Sequence, residues 1–318
     1  MHFDSHVHSS ASPDSEMRPE DVIAAASAKG LGVTFTEHVD FSESHEKKDP
    51  NATDAIRGIG DFVCDFEVYP KAYRKFRGAG VSLGLEIGLM HAFAGENKRV
   101  AESGDYDFIL GSIHSVDGAE LYQACAGNLR NEPYAQAILS GDADAVRGCI
   151  RRYLQYAREM VEISDFFDSF GHIDYIARYV PLATQNFFYE NFSDEFDALL
   201  RTLVDREIAL EINTKFFSPD SRTDAREGEF SKRVGECHSP TRSDTPKQGG
   251  KCPPVGAENV MLKICSRFRE LGGRMCTIGS DAHVLKNVGY GAKIGAEIAD
   301  AAGLAVVHYK ERKPIRCG

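Results

Sequence analysis

The chain has 318 residues, 42% of them hydrophobic, which is enough to bury one large core such as that of a single barrel. Its formal net charge of −11 argues against broad, sequence-independent binding to nucleic acid, because such binding requires a basic face. No apolar run approaches the roughly 20 residues that span a bilayer, so we expect no contact with a membrane.

The sequence alternates short, buried-looking strands with helices. Seven strands are predicted over residues 3–8, 31–36, 81–88, 108–113, 167–171, 208–213 and 274–280. Helices are predicted over residues 18–29, 61–77, 132–167 and 193–204, and a late strand over 304–309 is expected outside this set. Because strands that alternate with helices pair in parallel, the fold class is α/β, and a closed βα barrel satisfies the pattern.

We expect one domain over 1–318, interrupted by a polar insertion at 218–256. The insertion is rich in Ser, Asp, Arg, Lys, Gly and Pro. Structureless loops in compact domains are rarely longer than roughly 15 residues, and the insertion exceeds this length. Loops of greater length are usually lids or disordered segments. It is therefore predicted to be flexible.

The first strand carries a candidate metal-binding pair, His6 and His8. Side chains two residues apart in a strand point to the same face, so both imidazoles project together. Imidazole suits zinc, iron, copper and nickel, and the carboxylate of Asp14 in the next loop could add an oxygen ligand. For this pair alone, the alternative is a chance occurrence or two solvated histidines.

Histidines and acidic residues recur at the ends of the predicted strands. The nine residues in question are His6, His8, Asp14, His38, Glu86, His114, His172, Asp281 and His283. Any one of them could be a hydrogen-bonded core residue or a helix cap. In a βα barrel, however, they would converge on one mouth, and six imidazoles with three carboxylates in one cavity need cations. Nine ligands are too many for one tetrahedral ion, so we expect two or three divalent ions, with zinc, manganese or iron equally compatible.

The motifs around these residues resemble those of the polymerase and histidinol phosphatase (PHP) domain family. They are HVH at 6–8, TEHVD at 36–40, GLEIGL at 84–89, GSIHSVDG at 111–118, GHIDYIARY at 171–179 and GSDAH at 279–283. The forms TEHVDF and SIHSVDG, together with EINT at 211–214, are similar to its histidinol-phosphate phosphatase branch. The resemblance implies a distorted TIM-like (β/α)7 barrel with a trinuclear site that hydrolyses a phosphate monoester in histidine biosynthesis. It also carries the ligand pattern onto the nine residues, with Glu86 and Asp281 as candidate bridges.

A phosphate monoester needs a cation to hold its oxygens during hydrolysis, and Arg178 is the first candidate for this role. The alternative is an ordinary surface arginine on the helix that follows His172. We expect His38 and Asp281 to be catalytic together with Arg178. The sequence does not indicate which group protonates the leaving oxygen.

The partner is expected to be a small phosphorylated substrate, with no nucleic acid and no membrane. Two other functions remain open, a relative acting on nucleotides or nucleic-acid ends, and an inactive metal-binding scaffold. The acidic charge disfavours the first, and the complete ligand set disfavours the second. The eight cysteines lack CxxC spacing, which indicates reduced thiols and a cytoplasmic location.

Overall fold

The structure, a computed structural model, describes residues 1–41, 62–125, 133–179, 187–217 and 257–318. The polar insertion predicted at 218–256 lies outside the described residues. Within them, the strands are β1 (Phe3–Val7), β2 (Gly32–Asp40), β3 (Phe62–Val63), β4 (Val81–Gly88), β5 (Phe108–Ser112), β6 (Ser115–Val116), β7 (Ala119–Glu120), β8 (Ser169–Phe170), β9 (Ala209–Asn213), β10 (Met275–Gly279), β11 (Ala305–Lys310) and β12 (Lys313–Arg316).

The described α-helices lie between these strands or follow them. They are α1 (Pro19–Ala28), α2 (Tyr69–Tyr73), α3 (Ala94–Ser103), α4 (Leu121–Cys125), α5 (Pro133–Leu139), α6 (Ala143–Ile163), α7 (Tyr175–Tyr179), α8 (Ser193–Asp205), α9 (Ala257–Glu270) and α10 (Ala292–Ala302). Among the helices of the described ranges, none is both long and apolar enough to cross a membrane.

Seven parallel strands form the barrel, in the order β1-β2-β4-β5-β8-β9-β10. The ring closes between its first and last strands, where the Asp281 N–H donates to the carbonyl oxygen of His6 (2.8 Å) and the His8 N–H donates to that of Ala282 (3.0 Å). The predicted seven-stranded α/β barrel is therefore confirmed. Its closure brings the first predicted metal ligands next to the last ones.

The strands of the barrel are buried over nearly their whole length. The eight residues of β4 and all but the last of β2 are buried, because helices cover the outer surface and side chains fill the interior. On the outside, α6 begins after Asp142, whose Oδ1 accepts a hydrogen bond from the backbone N–H of Ala145 (2.8 Å). The residues Tyr153 and Met160 lie on the buried, apolar face of α6.

The late strand β11 closes the end of the barrel opposite the ligand-bearing strand ends. It pairs in parallel with β10 and antiparallel with β12, outside the ring of seven. The Tyr309 ring stacks on Phe108 with ring centroids 5.2 Å apart, and both residues belong to a small apolar cluster with Val307. The mouth, defined here as the carboxyl ends of the seven strands, lies at the other end of the barrel.

Two helix predictions differ from the structure. Residues 62–63 form β3, which pairs antiparallel with β2, and α2 begins only at Tyr69, so the helix predicted over 61–77 is wrong in its first half. Pro70 explains the late start, since proline fits the first turn of a helix but not its interior. The single helical stretch predicted over 132–167 is two helices, α5 and α6, separated by Gly141 with φ of 72°.

Candidate metal centre

The pair that opens the chain lies at the mouth as the strand alternation predicted. His6 and His8 are fully buried, and their Nε2 atoms are 3.1 Å apart. Val7, between them, points away into the hydrophobic core. The two imidazoles therefore face one point inside the barrel.

Three side chains, those of His6, His8 and Glu86, surround this point with ligand-atom distances close to those of a tetrahedral metal site, and Asp281 lies slightly farther away. A zinc–nitrogen bond of about 2.0–2.1 Å gives edges of about 3.3 Å between the ligand atoms of a tetrahedron. The Oε2 atom of Glu86 lies 3.1 Å from His6 Nε2 and 3.4 Å from His8 Nε2. Asp281 Oδ1 lies 3.9 Å from His6 Nε2 and 3.7 Å from His8 Nε2. The distances among His6, His8 and Glu86 are therefore close to the expected edge, and the two distances to Asp281 are longer.

The other oxygen of Glu86 faces a second group of ligands. Glu86 Oε1 is 2.7 Å from His172 Nε2 and 3.2 Å from His114 Nε2. These two imidazole nitrogens are 3.3 Å apart, again close to a tetrahedral edge. Glu86 thus presents one oxygen to each group, which is the geometry of a bridging carboxylate. Ser112 orients it by donating a hydrogen bond to Oε1 (2.7 Å).

A third group lies nearer to solvent. Asp14 Oδ2 is 3.0 Å from His283 Nε2 and 3.5 Å from His38 Nε2. The ring of His8 stacks between these two histidines, with centroids 4.1 Å from His38 and 4.2 Å from His283. All nine residues predicted as ligands are therefore brought together at one mouth, in three adjoining groups.

The raised pKa values of two histidines indicate that this cavity favours bound positive charge. Burial lowers the pKa of His6, but Glu86, Glu211 and Asp281 outweigh it and raise that pKa well above its usual value. Burial likewise opposes a raised pKa at His114, yet Asp40 and Glu86 raise it to about 10. Without a metal, protons would be drawn into the site to balance its carboxylates. A divalent cation supplies the same charge, so the donor set fits metal ions.

At His8 and His172, burial determines the direction of the pKa shift. It lowers the pKa of His8 well below the usual value, and it also lowers the pKa of His172. These two imidazoles are therefore neutral, which is the form that coordinates a metal ion.

Local backbone conformation positions the last ligands. Asp281 has a φ of 52°, in the left-handed region that aspartate adopts more readily than most residues. A Cβ at Gly279 would lie 2.3 Å from the Cβ of His6 and 2.4 Å from Glu211 Oε1, so only glycine fits there. The GSDAH motif thus passes close to β1 and turns the Asp281 carboxylate into the mouth.

Two cations pair with Asp281. Arg178 is buried, with 5% of its side chain exposed, and its Nη1 lies 2.5 Å from Asp281 Oδ2. The Nζ of Lys215 is 3.1 Å from the carbonyl oxygen of Asp281 and 3.4 Å from His283 Nδ1. Arg178 therefore lies at the site instead of on the surface. Lys215 was not predicted, since nothing in its local sequence indicates that it faces the mouth.

Sequence reasoning also missed two carboxylates that contact histidines of the predicted ligand set. Glu211 Oε1 accepts a hydrogen bond from His6 Nδ1 (2.7 Å), and Asp40 Oδ1 accepts one from His114 Nδ1 (2.7 Å). Asp40, within TEHVD, is the last residue of β2, so the strand-end rule would also have found it. Glu211, within EINT, lies in the middle of β9 and does not follow that rule. Carboxylates in this position hold the imidazole orientation and its tautomer.

Fold and mouth together define a class of protein, a βα barrel with a candidate metal site of histidines and carboxylates. The family model of the PHP domain matches residues 4–215, and the chain belongs to this family. A curated relative from Clostridium acetobutylicum, named probable histidinol-phosphatase, is 30% identical over 98% of this chain and 98% of its own length. The histidinol-phosphatase of Lactococcus lactis is 29% identical over 89% of this chain and 85% of its own.

The fold is also similar to that of a solved structure. The histidinol phosphate phosphatase of Lactococcus lactis, crystallised with zinc, L-histidinol and phosphate, superposes with a TM-score of 0.70 at 23% identity. The alignment covers 99% of each chain.

Proposed function

We propose that this chain is a metal-dependent phosphomonoesterase that hydrolyses L-histidinol phosphate to L-histidinol and phosphate in histidine biosynthesis. One observation carries the proposal: the nine residues predicted as ligands lie at one mouth, and all of them except Asp14 belong to clusters whose ligand atoms lie within 4.8 Å of one another, in a chain whose relatives are named histidinol-phosphatases. The zinc, L-histidinol and phosphate bound to the Lactococcus lactis protein support the same substrate class.

The three ligand groups would hold two or three divalent ions, and zinc, manganese and iron all suit mixed histidine and carboxylate ligands. His6, His8, Glu86 and Asp281 would hold one ion, and Glu86, His114 and His172 a second. Asp14, His38 and His283 would hold a third. When bound, such ions generate a nucleophile from water near neutral pH and neutralise the charge on phosphoryl oxygens.

The role of the two cations of the mouth follows from their common partner. Arg178 and Lys215 both contact Asp281, so both lie beside the ligand groups and are oriented by one carboxylate. We assign them to the phosphoryl oxygens of the substrate, where guanidinium can form two parallel hydrogen bonds. Asp281 then serves both as a ligand and as the anchor of these cations, and His38 acts as a ligand beside the reacting group.

The substrate assignment is tested by comparing three phosphate esters. Protein purified with zinc or manganese should release phosphate from L-histidinol phosphate far faster than from AMP or from a 5′-phosphorylated oligonucleotide. Release from the latter two alone would overturn the assignment and favour a nucleotide or nucleic-acid enzyme. The variant His8→Ala is the control, since it removes a ligand from the first group and should lose metal and activity while the barrel remains folded.

We also propose that the protein acts in the cytoplasm and has no nucleic-acid partner. The cysteines whose pairing the structure describes, Cys64, Cys149, Cys265, Cys276 and Cys317, are free thiols. This supports a reducing compartment, and the net charge of −11 disfavours binding to a polyanion.

A further inference from the structure

Three of the ligand histidines use their Nδ1 atom for a contact away from the metal groups. For His6 and His114 the contacting group is a carboxylate, Glu211 or Asp40, at 2.7 Å in each case. For His8 it is the hydroxyl of Ser12, at 3.3 Å from Nδ1. A hydroxyl can either donate or accept, so by itself it leaves the tautomer of His8 undetermined.

Glu37 removes this ambiguity. Ser12 Oγ donates its hydrogen to Glu37 Oε2 at 2.6 Å, because that oxygen acts as an acceptor, as its hydrogen bond from the backbone N–H of Ser9 shows. The hydroxyl oxygen then has two lone pairs left, and one of them accepts the backbone N–H of His38 (3.0 Å). The other faces His8 Nδ1, which must therefore carry the proton. The Nε2 atom of His8 keeps its lone pair free.

The carboxylate of Glu37 is held so that it cannot turn away from Ser12. Glu37 is fully buried and follows strand alternation, with its side chain on the opposite face of β2 from the adjacent His38. Ser9 supplies two more donors, its N–H to Oε2 (3.1 Å) and its hydroxyl to Oε1 (2.5 Å). The hydroxyl of Tyr73 in turn lies 2.9 Å from Ser9 Oγ. Glu37 is thus fixed by neighbours that do not reach the metal groups.

We propose that Glu37 and Ser12 are positioning residues that hold His8 in its Nδ1–H tautomer, with Nε2 directed at the metal position shared with His6 and Glu86. The inference rests on the proposed metal site and goes beyond it, since neither residue is a ligand. Three of the proposed ligand histidines are then each supported by a carboxylate. The carboxylate contacts the imidazole directly at His6 and His114, and through the hydroxyl of Ser12 at His8.

The sharpest test compares two serines that both donate to Glu37. Ser12→Ala removes the contact with His8, whereas Ser9→Ala removes a hydrogen bond to the same carboxylate without touching a ligand. Zinc affinity, measured by competition with a chromophoric chelator, should fall about 10- to 100-fold in Ser12→Ala and change less than about threefold in Ser9→Ala. Equal affinity in the two variants would overturn the proposal. Wild-type protein that binds no zinc would instead refute the proposed metal site itself.

A second measurement does not depend on metal binding by any variant. Nitrogen-15 NMR of the metal-free wild-type protein distinguishes the two imidazole tautomers, and the resonance of His8 is assigned by its absence from His8→Ala. The proposal requires the Nδ1–H form at His8 in the absence of zinc. The Nε2–H form there would overturn it, whatever the zinc affinity.

Discussion

Replacing Glu211 with glutamine tests how strongly a carboxylate that is hydrogen-bonded to a proposed ligand histidine affects zinc affinity. Glu211 is buried, and its two oxygens face different donors. Oε1 accepts from His6 Nδ1 (2.7 Å), and Oε2 accepts from the backbone N–H of His172 (2.6 Å) and from Asn213 Nδ2 (3.2 Å). A glutamine of the same shape has only one oxygen to offer.

Either orientation of that glutamine is unfavourable. If its NH2 group faces the backbone of His172 and Asn213, buried donors point at one another and lose their acceptor. If the NH2 group faces His6 instead, Nδ1 must accept, so the proton moves to Nε2 and blocks coordination there. An unsatisfied buried donor costs about 1–3 kcal/mol, and lost support behind a metal-binding histidine lowers metal affinity about 10- to 100-fold. A hundredfold loss corresponds to about 2.8 kcal/mol, so the two ranges agree.

We therefore expect Glu211→Gln to bind zinc about 10- to 100-fold more weakly than the wild type in a chelator competition assay. The exposed Glu96, which pairs with Arg99 on the surface of α3, provides the matched control. Glu96→Gln should bind zinc like the wild type. If Glu211→Gln also retained wild-type affinity, the reasoning about donor and acceptor placement would be refuted.

Three further results are expected. Arg178→Ala should lower kcat/KM for L-histidinol phosphate about 10- to 100-fold, since a hydrogen bond to a charged group is lost, and phosphate release measures this. Tyr309→Ala should lower the free energy of unfolding by about 3–5 kcal/mol in urea, because the ring that stacks on Phe108 is removed, while zinc affinity stays unchanged. Hydrogen bonds from Arg267 lower the pKa of Asp197 from 3.8 to about 2, so their stabilisation is complete above about pH 4 and is lost as the pH falls towards 2. Asp197→Asn should remove that part of the acid dependence of urea unfolding.

The placement of the candidate ligands at one mouth could be predicted from the sequence because the signals there are local. Strand alternation placed His6 and His8 on one face, and the succession of strands and helices implied the barrel whose mouth collects the other ligands. These inferences depend on neighbouring residues and on one topological rule. The nine residues predicted as ligands accordingly lie together, with Glu86 between two of the groups.

What could not be predicted depends on contacts between distant parts of the chain. Glu211 meets His6 across 205 residues, and no local pattern shows which strand end supports which ligand. Similarly, the late strand at 304–309 was expected outside the barrel, but its role in covering the closed end depends on packing against Phe108. The helix predicted over 61–77 ignored Pro70, whose effect on the start of α2 was readable in the sequence.

Anomalous X-ray diffraction from crystals of zinc-loaded protein tests the central claim most directly, since the peaks locate zinc independently of activity. We predict two or three anomalous peaks at the mouth, within bonding distance of the nine ligand residues, and the Glu86 carboxylate bound to two of them. The absence of peaks at the mouth, with zinc elsewhere on the protein, would contradict the account.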